Sequence, residues 1–134
     1  MRRSNHYKGF TLIELLITIV ILGLLVSIVA PEMFSKVGSS KRKAAEAQMQ
    51  MLETAISAYR LDTGKLPEQL SELRRSDATN WDGPYLPKDV PLDPWGTPYS
   101  YEVTSDKLNP FLLKSLGADG MEGGEGDNED IVHQ

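Results

Sequence analysis

From Phe10 to Ala30 the chain holds twenty-one residues with a single charge, Glu14, and its apolar positions run continuously rather than alternating. As a helix this stretch would be about 31 Å long, the thickness of a bilayer's hydrocarbon core. In lipid every backbone amide must be satisfied within the segment, so the pattern predicts a transmembrane helix. A carboxylate at membrane depth costs at least a few kcal/mol. Glu14 therefore either meets a partner there or, lying one turn from Phe10, reaches the headgroups.

Beyond Ala30 the pattern becomes amphipathic. Pro31 cannot donate to a helical ladder, so a kink or local loosening is expected there, with Gly23 a second weak point. Ser35 to Asp62 is mostly helix-forming, and Ala45, Met49, Leu52, Ile56 and Tyr59 fall at steps of four, three, four and three. That spacing traces one face and predicts core packing. Gly64 is placed to end the helix, which would span Phe10 to about Thr63. The basic trio Lys41, Arg42 and Lys43 is expected as a solvated face.

Leu66, Leu70 and Leu73 predict a short second helix over residues 66–73 with Pro67 in its first turn. Residues 74–91 are rich in Asp, Pro and Gly and predict a loop anchored by Trp81, Tyr85 and Leu86. Asp93-Pro94-Trp95-Gly96 suits a type I turn. Tyr99 to Val103 alternates as a half-buried strand does, and a turn through 105–107 leads to a second strand over Phe111 to Ser115. The predicted fold is α+β, a long N-terminal helix carrying a small antiparallel sheet.

Composition narrows the partners. A length of 134 residues suits one domain with an appendage, and the net charge of −5 offers no basic patch to neutralise phosphates, so nucleic acid is excluded as a partner. There are no cysteines, hence no disulfide staple and no thiolate metal site. The segment before the apolar run carries Arg2, Arg3 and Lys8 and no acid, which keeps that end cytoplasmic. No small-residue cleavage pattern follows Ala30; a glycine, Gly9, precedes the run instead.

Gly9-Phe10-Thr11-Leu12-Ile13-Glu14 resembles the prepilin cleavage and methylation motif of the type IV pilin superfamily. The resemblance implies cleavage after Gly9 by a prepilin peptidase, methylation of Phe10, and retention of the apolar helix as a filament core. It divides the chain into a leader (1–9), a membrane and filament-core half-helix (10–30) and a periplasmic pilin-like domain (31–134). From −5, loss of the leader's three positive charges leaves −8. Glu14 would pair with the Phe10 amino terminus of a neighbouring subunit. The block from Asp93 to Tyr99 and the C-terminal Gly-Ala-Asp-Gly stretch resemble the major pseudopilins of bacterial type II secretion systems. The partners implied are other copies of the chain, minor pseudopilins, the prepilin peptidase, the inner-membrane secretion machinery and membrane lipid.

Between Asp119 and Asp130, six of twelve residues are acidic and four are Gly. Crowded carboxylates without His or Cys suit a hard cation, and a flexible loop suits calcium better than magnesium; a disordered acidic tail fits the composition equally. An EF-hand is excluded, because its third and fifth positions would be Met121 and Gly123, which offer no side-chain oxygen. The resemblance implies one Ca2+ in this loop, with Asp119 and Asp130 as carboxylate ligands and the carbonyls of Leu116 and Met121 as further donors. It leaves Asp127, Asn128 and Glu129 open.

The function expected is that of a structural subunit of the periplasmic pseudopilus, driving export of folded proteins across the outer membrane. The alternatives are a type IV pilin of a surface fibre and a membrane-anchored calcium-binding protein. With two histidines, His6 and His133, and no Ser-His or His-pair spacing, the sequence offers no material for an enzyme.

Overall fold

A computed structural model describes residues 8–133, so the leader's Arg2, Arg3 and His6 lie outside the described residues. Helix α1 spans Leu12–Thr63, and the assignment runs through Pro31 without interruption. The chain divides into two compact units, one up to Val37 and one from Gly38 onward.

In the first unit the large apolar side chains from Phe10 to Phe34 are exposed, and α1 here is long and apolar enough to cross a membrane, with none of that window buried within the chain. The helix opens with a reciprocal cap. Thr11 Oγ1 accepts the Glu14 N–H at 3.2 Å, and Glu14 Oε2 accepts the Thr11 N–H at 2.9 Å. Two of the four amides that a helix start leaves without partners are thereby satisfied. The first helical residue is therefore Leu12, and Phe10 stands outside the helix.

In the second unit the predicted stripe is the core. Ala45, Met49, Leu52, Ile56 and Tyr59 are buried, joined by Ala55 on the same face. The helix ends as its sequence requires: Gly64 takes φ +77° and its N–H bonds the Arg60 carbonyl at 2.9 Å.

Strands β1 (Ser100–Val103), β2 (Phe111–Ser115) and β3 (Ile131–His133) form an antiparallel sheet in the order β1-β2-β3. Tyr101 pairs with Leu113, and Ser115 pairs with Ile131. Strand β2 alternates buried and half-buried residues, placing Phe111, Leu113 and Ser115 on the core side. The loop between helix and sheet is pinned by aromatic edges: Tyr85 meets Tyr59 at 5.9 Å and Trp81 at 5.7 Å between ring centroids, both edge-on.

Two expectations are corrected. The helix expected over residues 66–73 is only a 3₁₀ turn, Leu70–Leu73. A tertiary contact takes a carbonyl that its first turn would have used: Tyr101 Oη donates to the Pro67 carbonyl at 2.9 Å. The sheet, for which two strands were expected, gains a third: the C-terminal residues return as β3, with His133 Nε2 donating to Glu53 Oε2 on α1 at 2.7 Å.

Candidate functional site

Two regions carry the residues singled out from the sequence. At the start of the apolar run, Gly9, Phe10 and Glu14 sit around the helix cap. A Cβ on Gly9 would meet nothing within 4 Å, so no contact within this chain requires glycine there. Phe10 is 88 % exposed. Glu14 is occupied by the cap through one oxygen, which leaves the carboxylate further acceptor capacity. The capping pattern Thr-x-x-Glu ahead of an apolar run was the sequence signal for Thr11's role.

The second region is the acidic loop between β2 and β3. Its entrance is set by a buried carboxylate. Asp93 Oδ1 accepts the Trp95 and Thr97 N–H groups at 3.1 and 2.8 Å, and Oδ2 accepts the Ser115 hydroxyl at 2.7 Å. Asp93 thereby shapes its own turn, closed by the Gly96 N–H to the Asp93 carbonyl at 2.9 Å, and fastens that turn to the last residue of β2. Its charge, together with burial, pushes the Tyr99 phenol well above its ordinary range, burial contributing most.

Inside the loop the two arms close on each other. The Ala118 N–H bonds the Asp127 carbonyl at 2.8 Å. Gly117 and Gly124, at φ +70° and +91°, both press on the Asn128 backbone; a Cβ on either would lie within 2.8 Å of its carbonyl oxygen. Only glycine supplies that conformation and that approach together.

The acids separate by partner. Glu122 lies 3.7 Å from Lys114, and Glu129 lies 3.8 Å from Arg42, both exposed pairs of small energetic weight. Asp127 abuts Gly38 on α1, where a Cβ would overlap its carboxylate. Asp119 and Asp130 grip one turn between them: Asp119 Oδ1 accepts the Met121 N–H at 3.1 Å, and Asp130 Oδ2 accepts the Gly123 N–H at 3.2 Å. The second oxygen of Asp130, Oδ1, is buried with no hydrogen-bond partner. Leu116 follows β2 half-buried, and Met121 is exposed in the turn. Their carbonyls and the two carboxylates are all acceptors, so nothing but a shared donor or a cation could unite them.

Among the described residues no three His, Cys, Asp or Glu side chains converge. Any ion here would rest on two carboxylates plus backbone oxygens. Sequence reasoning did not find Gly38, Arg42 or Ser115. Arg42, expected on a solvated face, donates through Nη1 to the Gly126 and Glu129 carbonyls at 3.2 and 2.9 Å.

Known proteins share both regions. Residues 4–30 match the family described as the prokaryotic N-terminal methylation motif, and residues 32–134 match type II secretion system protein G. A type II secretion system core protein G of Pseudomonas aeruginosa is 37 % identical over 137 residues, covering 96 % of each chain. Its namesake in Vibrio cholerae is 36 % identical over 139 residues, covering 98 % of this chain and 94 % of the relative. The crystal structure of the major pseudopilin of enterohaemorrhagic Escherichia coli superposes with a TM-score of 0.56 at 23 % identity. It covers 76 % of this chain and 93 % of that one, and the similarity extends to the fold. With its methylation motif, apolar helix and three-stranded sheet, the chain belongs to the type II secretion system protein G family.

Proposed function

We propose that this protein is the repeating subunit of a type II secretion pseudopilus, anchored once in the inner membrane with its C-terminal unit in the periplasm, and that its work is structural rather than catalytic. The observation that carries this reading is the run of exposed apolar side chains from Phe10 to Phe34, interrupted by Glu14 and Glu32 as its only acids. A surface of that extent is unstable in water and must be covered, first by lipid and then by the same helix of neighbouring copies.

The processed end supports the same reading. Gly9 fills no need of the fold, so its missing side chain serves a peptidase that approaches the backbone from outside. Cleavage after Gly9 would leave an ammonium on Phe10. The Glu14 carboxylate, already turned toward the helix start by its bond to the Thr11 N–H, is placed to pair with the Phe10 ammonium of a neighbour. Such a pair is worth forming where water is excluded. The test is to shear cells overproducing the chain together with its secretion machinery and to image the fraction by electron microscopy. Thin filaments labelled by an antibody to this chain are expected; a chain found only as membrane-bound monomer would overturn the reading.

The acidic loop suits a calcium ion. An unpartnered buried carboxylate oxygen is costly, and Asp130 Oδ1 is one. The loop's side chains offer oxygen and no His or Cys, the chemistry of a hard cation. Asp119 and Asp130 would hold the ion through their carboxylates, with the Leu116 and Met121 carbonyls as further donors. The bound ion would supply positive charge that joins the two arms of the loop, the part a disulfide could play in a chain with cysteines.

A further inference from the structure

The acidic loop rests on α1 at two positions four residues apart, which places both on one face of the helix. At Gly38 the missing side chain makes room for the Asp127 carboxylate. One turn on, Arg42 Nη1 bridges the carbonyls of Gly126, the first residue of the 3₁₀ turn Gly126–Asn128, and Glu129, the residue after it. Asp130 follows directly, and after it Ile131 pairs with Ser115 in the sheet. The residue with the unpartnered oxygen is thus fixed from both sides: through the preceding carbonyl by Arg42, and through the following residue by β2.

We propose that Arg42 is a positioning residue for cation binding: its guanidinium holds the 126–129 arm against α1 so that Asp130 presents Oδ1 to the loop before an ion arrives. This rests on the reading of the loop as a calcium site. Preorganisation is what the guanidinium contributes, since the entropy of ordering a glycine-rich arm is then spent on folding rather than on binding. Its charge acts in the opposite sense, repelling a cation, and Glu129 at 3.8 Å offsets part of that. The clamp and the charge therefore predict opposite signs on removal of Arg42. Both bonds leave one nitrogen, Nη1, so a lysine ammonium could serve the same two carbonyls only in part, its side chain being one bond shorter.

The experiment titrates calcium chloride into the full chain in detergent micelles by isothermal calorimetry, with circular dichroism and melting in chelator as the readout of fold. Arg42→Ala is expected to weaken calcium binding roughly 10–100-fold, the usual cost of removing a group that orients a metal ligand. Its spectrum in chelator should stay unchanged, because alanine is a strong helix former. Arg42→Lys, which keeps the charge and a multi-donor nitrogen of shorter reach, should fall between the parent and Arg42→Ala. Glu129→Gln keeps the bridged carbonyl and should stay within about threefold of the parent. Equal or tighter binding by Arg42→Ala overturns the clamp while leaving the calcium site standing. A silent titration of the unsubstituted chain overturns both.

Discussion

The Asp93 carboxylate accepts the Ser115 hydroxyl at 2.7 Å, and both residues are buried. One oxygen–oxygen contact thus ties the turn before β1 to the residue where β2 gives way to the acidic loop. Three donors converge on Asp93 in all, two of them backbone amides with no other partner available inside the turn. Ser115→Ala strands one carboxylate oxygen and should cost about 1–3 kcal/mol. Asp93→Ala strands three donors and should cost more. Asp93→Asn should be the mildest, because its amide can donate to the Ser115 hydroxyl while its carbonyl keeps both backbone N–H groups. Thermal melts of the full chain in micelles check that order; Asp93→Asn falling furthest would contradict it.

Alkaline pH should destabilise the fold through Tyr101. Burial, reinforced by the Glu72 and Tyr59 charges, pushes its phenol up to about 12 from an ordinary value near 10. Between those values the unfolded chain releases the proton and the folded chain keeps it, so stability is fully present below pH 10 and falls as pH rises toward 12. Denaturant melts across that window should decline with pH, and Tyr101→Phe should flatten part of the slope. An identical slope in the variant would exclude Tyr101 as its source.

Calcium should raise the melting temperature of the full chain by several degrees, since an ion at a hundredfold excess over Kd stabilises by about 2.7 kcal/mol. Magnesium should substitute poorly, because the loop offers few ligands with the strict octahedral placement it demands. Asp119→Ala or Asp130→Ala should remove the shift. A melting curve indifferent to calcium would reduce the loop to an acidic tail.

Much of this fold is legible in the sequence because its determinants are local. The Ala45-to-Tyr59 stripe, the Gly64 cap and the Asp93 turn each follow from spacing within one element. What could not be read there depends on remote partners. Strand β3 is three residues long and follows an acidic glycine run, so only its pairing with Leu113, Lys114 and Ser115 makes it a strand. Leu66 to Leu73 has helical spacing, yet Tyr101, far along the chain, claims the Pro67 carbonyl. The candidate ligands Asp119 and Asp130 were legible as residue types in a crowded loop. The group that fixes Asp130, Arg42, was not, because its contacts span 84 and 87 residues.

Glu14 has two roles that substitutions separate. Glutamine can keep the cap with Thr11 but carries no charge, whereas alanine loses both. Both Glu14→Gln and Glu14→Ala should insert in the membrane and be processed, and both should fail to form filaments if pairing with a neighbour's ammonium drives assembly; leaving a buried charge without its partner costs about 3–5 kcal/mol. Normal filaments from Glu14→Gln, seen after shearing, would assign the residue's importance to the cap.

Filament assembly requires that the apolar helix be retained after cleavage in front of Phe10. The most direct measurement is the intact mass of the chain recovered from sheared filaments. The predicted mass is that of residues 10–134 with one added methyl group on the Phe10 amino terminus. A mass beginning at residue 1, or one beginning after Ala30 and so lacking the helix, would contradict it.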